Sequence, residues 1–71
     1  MSAMTRAEHM RWAKDRALAE LPNVANATAS MISDLRKHPE TEEAVRFAVM
    51  SSLAMCSDPA GTRQWIEGFA E

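Results

Sequence analysis

His9 and His38 are the two histidines of the chain, and Cys56 is its one cysteine. Imidazole and thiolate are the side chains that most readily carry protons, attack electrophiles or ligate metals near neutral pH. That chemistry needs partners at fixed spacing. The histidines stand 29 residues apart on different segments, and neither belongs to an HExxH zinc pattern. Cys56 precedes Ser57 and Asp58, an environment of the wrong sign for a stabilised thiolate, and reads as a small buried hydrophobe. A single cysteine excludes an internal disulfide and a cysteine zinc site. Gly61 and Gly68 are the only glycines and neither precedes a lysine, so no phosphate-cradling loop is encoded.

Two charge clusters could act otherwise. Arg36, Lys37 and His38 close one segment and form a candidate anion-binding group. Their structural reading is as cations complementing the negative end of a helix. Glu40, Glu42 and Glu43 open the next segment, where carboxylates favour the positive end of a helix. Acid–base catalysis by paired carboxylates needs a shared cleft that separates their pKa values, and nothing in the sequence supplies one. The expectation is a protein that is not an enzyme and has no cofactor and no metal.

Eight basic and ten acidic residues leave a net charge of -2, without the basic excess of a polyanion binder. The charge is uneven, however. Residues 1–39 carry six cations against four anions, and residues 40–71 carry two against six. Arg6, Arg11, Lys14 and Arg16 on the first helical segment are the best candidate for a nucleic-acid surface, although Glu8 and Asp15 interleave with them and Trp12 is the one aromatic available for stacking. Nucleic acid is therefore not the expected partner. No apolar run approaches the roughly 20 residues that cross a bilayer, and no apolar stretch of a secretory signal opens the chain. No membrane partner and a cytoplasmic location are the expectation.

These side chains must be positioned by helices. Pro22-Asn23, His38-Pro39-Glu40 and Ser57-Asp58-Pro59 divide the 71 residues into four segments rich in Ala, Met, Leu, Arg and Glu. No segment alternates as a half-buried strand does. The first helix should run from about Arg6 to Glu20, opened by the capping box Thr5-Arg6-Ala7-Glu8. Its core face is Ala7, Met10, Ala13, Ala17 and Leu21; Trp12 falls on a separate stripe with His9, Arg16 and Ala19. The second should run from about Val24 to Lys37 behind an Asn23 cap, with Val24, Ala27, Met31 and Leu35 inward. The third, from about Glu42 to Cys56 with Thr41 as cap, is apolar around nearly its whole circumference, the pattern of a central, buried helix. The fourth should begin at Pro59 behind an Asp58 cap and turn Thr62, Trp65, Ile66 and Phe69 inward.

The fold expected is all-α: one domain over residues 1–71, with residues 1–4 disordered, as a compact four-helix domain of two antiparallel αα-hairpins with the third helix central. A chain this short buries only about 60% of its extended surface, and with thirteen alanines its core contributes little per residue. If three short helices cannot sheathe the third, the surplus becomes a homodimer interface or a docking patch. His9, Trp12 and Arg16 form the candidate interaction surface, because an aromatic flanked by arginine is the composition of an interface anchor.

Two resemblances bear on this. Displaced by 34 residues, Val24, Ala27, Met31 and Leu35 align with Asp58, Gly61, Trp65 and Phe69. That is the tetratricopeptide period, and the first unit resembles such a repeat at Val24, Ala27, Met31, Leu35 and Pro39, departing from it at Asp15 and Leu18, where the glycine and tyrosine of the first helix usually stand. The resemblance implies paired helices that act as binding surfaces. Over nearly its whole length, through Thr5-Arg6-Ala7-Glu8-His9, Trp12-Ala13-Lys14, Ser33-Asp34-Leu35-Arg36-Lys37-His38-Pro39-Glu40-Thr41 and Trp65-Ile66-Glu67-Gly68-Phe69, the chain resembles small proteins encoded by actinobacterial phages. Val45, Phe47 and Ser51-Ser52 depart from the Gly-, Leu- and Met-rich third helix of that group. The resemblance implies a phage-type accessory protein that binds a host or phage protein and associates with itself. It transfers no functional residue. The alternatives are a small nucleic-acid-binding regulator using the first helix, and a virion assembly component.

Overall fold

The computed structural model describes residues 4–70, and within them the chain is all-helical. Five helices follow in order: α1 (Arg6–Glu20), α2 (Val24–Leu35), α3 (Pro39–Glu42), α4 (Val45–Met55) and α5 (Pro59–Glu67). The expectation of disorder at residues 1–4 lies outside the described residues except at Met4, whose carbonyl accepts a hydrogen bond from His38 Nε2 at 3.0 Å.

Local signals set most of the ends. Thr5 completes the capping box: its hydroxyl accepts from the Glu8 amide at 3.1 Å and the Glu8 carboxylate accepts from the Thr5 amide at 2.8 Å. Asn23 accepts from the Asn26 amide at 2.9 Å, and Asp58 from the Gly61 amide at 2.6 Å. Pro39 and Pro59 both take the first helical position, where a missing amide proton costs nothing.

The third segment departs from expectation in two ways. It is not one helix from Glu42 to Cys56 capped by Thr41. His38 caps a single turn, α3, by accepting from the Glu40 amide, and the chain restarts at Val45 with no side-chain cap. Thr41 is fully buried instead, its hydroxyl donating to the Leu35 carbonyl at 2.7 Å and so satisfying a carbonyl at the end of α2. That end comes at Leu35, two residues before Lys37: the Lys37 amide donates to the Asp34 carbonyl at 3.1 Å, an i to i−3 bond that tightens the last turn, and Pro39 then keeps His38 extended.

The second departure is larger: the apolar third segment is not central. In α4 only Ala48 is buried, while Phe47, Met50 and Leu53 are 65%, 64% and 80% exposed. The core is Met10, Ala13 and Ala17 from α1, Ala27, Met31 and Leu35 from α2, Trp65 and Ile66 from α5, with Phe69 and Ala48. α1 lies chiefly against α2, with three fully buried alanines allowing close approach of the two axes, and α2 also touches α4 and α5. The molecule is 17 Å across in its thinnest direction, room for about two helix layers at a spacing of 8–10 Å. Two layers cannot enclose any helix on all sides. The best-covered positions therefore go to α1 and α2, whose small residues pack most closely.

Candidate functional site

His9, Trp12 and Arg16 stand together as expected, but they are built into a network that faces inward as much as out. His9 is buried, and its Nε2 donates to the backbone carbonyl of Asp34 at 2.6 Å. Its ring lies 5.1 Å from those of Trp12 and His38. Trp12 is half-buried, with the Arg16 guanidinium 4.8 Å from its ring centre and Lys37 Nζ at 5.6 Å. The hub of this cluster is Asp34, a residue to which the sequence assigned no role. Its carboxylate is 2% exposed and accepts from Arg16 Nε at 2.8 Å and from Lys37 Nζ at 3.1 Å. A carboxylate is kept in such a place only when charged donors replace its water, and here two do. The spacing of Asp34 and Lys37 at i and i+3 was the one sequence signal for it.

Arg36, Lys37 and His38 are not arranged as a shared anion pocket. Lys37 turns to Asp34, and His38 uses both ring nitrogens, Nε2 to the Met4 carbonyl and Nδ1 as acceptor for the Glu40 amide. Arg36 is exposed at the end of α2. An open polar groove of about 550 Å³ runs beside α1 and α2, and both of its cations, Arg16 and Lys37, are turned onto Asp34.

The other cations of α1 are likewise engaged. Lys14 is 4% exposed, and its ammonium donates to the carbonyls of Glu67 at 3.2 Å and Phe69 at 2.8 Å. It thereby closes the C-terminal end of α5, where a cation meets unpaired carbonyls and the negative end of the dipole. Arg6 donates to the Ala70 carbonyl at 3.3 Å, and Arg11 pairs with Asp15 at 2.7 Å. Glu8 is fully exposed; its pKa lies below the ordinary carboxylate range because it accepts from the Thr5 amide.

The surface left open lies on α4. Arg46, Met50 and Leu53 follow one another at i, i+4 and i+7, flanked by Phe47, Val49 and Ala54, all of them exposed. Small residues explain the orientation. Ala48, Ser51 and Ser52 form the narrow covered side of the helix, so its long apolar side chains point away from the core. Beside this face, Phe47, Ser51, Met55, Trp65 and Phe69 line a mainly apolar cleft of about 240 Å³ between α4 and α5. The Phe47 ring meets Phe69 edge to face at 6.0 Å, and Phe69 meets Trp65 in the same way at 5.4 Å. Cys56 is a half-buried free thiol at the end of α4. Among the described residues no group of three His, Cys, Asp or Glu side chains could hold a metal ion, and no helix is long and apolar enough to cross a membrane.

Comparison of the chain with known protein families, with curated proteins and with solved structures finds no match.

Proposed function

We propose that this chain is a non-catalytic protein–protein interaction module whose docking surface is the outward face of α4. One observation carries the reading. Three long apolar side chains, Phe47, Met50 and Leu53, are each about two-thirds exposed or more on a single helix face, beside an aromatic-lined cleft. A contiguous apolar patch of this kind is costly to leave in water and marks a surface that another protein covers. The expected surface at His9, Trp12 and Arg16 gives way to α4 in this proposal, because His9 is interior and Arg16 is held by Asp34.

The resemblance to small phage proteins makes a host or phage protein of the cytoplasm the class of partner, with self-association beside it. The same face would serve a virion assembly component. A nucleic-acid-binding regulator has less support, since the α1 cations Arg6, Arg11, Lys14 and Arg16 all have partners within the chain.

The test compares the wild type with a Met50→Asp, Leu53→Asp double variant. Both side chains are exposed, so the fold should be kept, with far-UV circular dichroism nearly unchanged and the thermal midpoint lowered only by the weaker helix propensity of aspartate, up to about 0.7 kcal/mol per position. Purified chain and cell lysate are then probed for association. Protein contacts made by the wild type and lost by the variant support the reading. Contacts that survive both aspartates place docking elsewhere and overturn it.

A further inference from the structure

Resting on the reading of α4 as a docking face, we infer that its occupant is a second copy of this chain, seated antiparallel across a two-fold axis that meets the exposed face midway between Met50 and Leu53. The argument is one of self-complementarity. The face carries one charge, Arg46, at its N-terminal end, and the apolar residues Met50 and Leu53 at its middle. The nearest anion beyond the C-terminal end of the helix is Asp58. Reversing one copy of α4 on another brings these features into register. Met50 of each copy meets Leu53 of the other, and Phe47 meets the end of the opposite helix at Cys56.

Arg46 lies about 8 Å from the axis at the 1.5 Å rise of a helix, and so arrives beside Ser57 and Asp58 of the second copy. Its side chain makes no ion pair with any described residue of its own chain. Asp58 uses Oδ1 to cap α5, and Oδ2 accepts from no described donor. Arg46 would also meet the unpaired carbonyls that end the opposing helix, where a cation is favoured. A parallel pairing would instead set the two Arg46 side chains against each other and leave both Asp58 carboxylates without a cation. An isologous contact of this kind closes on itself and forms no chain of molecules. One helix face of this length covers on the order of 1,200 Å² over both partners, the small end of specific interfaces.

Sedimentation equilibrium of the full chain from 1 to several hundred micromolar is expected to show a monomer–dimer equilibrium that Leu53→Asp abolishes. Arg46→Met and Asp58→Asn should each weaken the dimer several-fold, and the double variant should be no weaker than either single one. Asparagine keeps the helix cap, so folding is preserved. In a Cys56→Ser background, Arg46→Cys mixed with Ser57→Cys should form a mixed disulfide dimer under mild oxidation, while Arg46→Cys alone should not. A wild type that stays monomeric throughout overturns the second copy as occupant, and the docking reading is then decided separately by the lysate comparison. A dimer lost with Leu53→Asp but showing independent effects of Arg46 and Asp58, or cross-linking through Arg46→Cys alone, keeps the docking face and overturns the antiparallel register.

Discussion

The indole Nε1 of Trp65 donates to Ser51 Oγ at 2.8 Å, and the same hydroxyl donates to the Phe47 carbonyl at 2.7 Å. This pair ties α5 to α4 and fixes the floor of the cleft beside the exposed apolar face. Trp65 is 3% exposed, so its N–H has no alternative partner in water once the hydroxyl is removed. Ser51→Ala should therefore lower stability by about 1 kcal/mol, the loss of a buried donor's partner outweighing the few tenths gained from alanine's helix propensity. The shift of the urea midpoint, followed by tryptophan fluorescence, measures it. An unchanged or raised midpoint contradicts the role given to this bond.

Gly61 is confined by its neighbours. A Cβ placed there would overlap the Met55 carbonyl oxygen, which is backbone and cannot step aside. Gly61→Ala should cost about 1–3 kcal/mol through overpacking, despite alanine's advantage inside a helix. Thermal unfolding decides the sign: a variant as stable as the wild type would mean that α4 and α5 can separate freely at this point.

Asp34 holds Arg16 and Lys37 from inside the fold. Asp34→Ala removes a buried acceptor from both cations, which are themselves about half exposed and can turn to water. The expected loss is about 1.5–3 kcal/mol, the range for hydrogen bonds to charged groups. Released from Asp34, the Arg16 guanidinium should also leave the face of Trp12, shifting its emission. A midpoint within error of the wild type would show that the network contributes geometry without stability.

The capping box gives a pH dependence. The folded-state pKa of Glu8 is lowered, chiefly by its hydrogen bond from the Thr5 amide. A depressed carboxylate pKa contributes stability that is present above the unfolded-state value and is lost as pH falls through the folded one. Stability should therefore decline on acidification below the ordinary Glu range, and Glu8→Gln should flatten that limb. Denaturant titrations between about pH 2 and 6 test this, and two superimposable limbs would contradict it.

Much of this molecule was legible in short stretches of chain. Thr5 with Glu8, Asn23, Asp58 and the prolines at 22, 39 and 59 act within a few residues of themselves, so they marked helix ends almost where they fall. Most of the inward faces of the first, second and last helices followed from residue spacing for the same reason, but Ala7, expected inward, is exposed, and the buried His9 was not expected there. The site was another matter. The sequence determines that the segment from Val45 to Met55 is helical and apolar nearly all round, but periodicity has nothing to say about a helix without a polar side. Only the tertiary structure decided which side of it is covered. Close packing selected the small residues Ala48, Ser51 and Ser52 for contact, and a body two helix layers thick left Phe47, Met50 and Leu53 in solvent. The burial of Lys14 and Asp34 was hidden for a related reason. The acceptors of Lys14 lie 53 and 55 residues away, and Arg16 lies 18 residues from Asp34, distances across which only the assembled fold brings charge and acceptor together; Lys37, three residues from Asp34, is its one local partner.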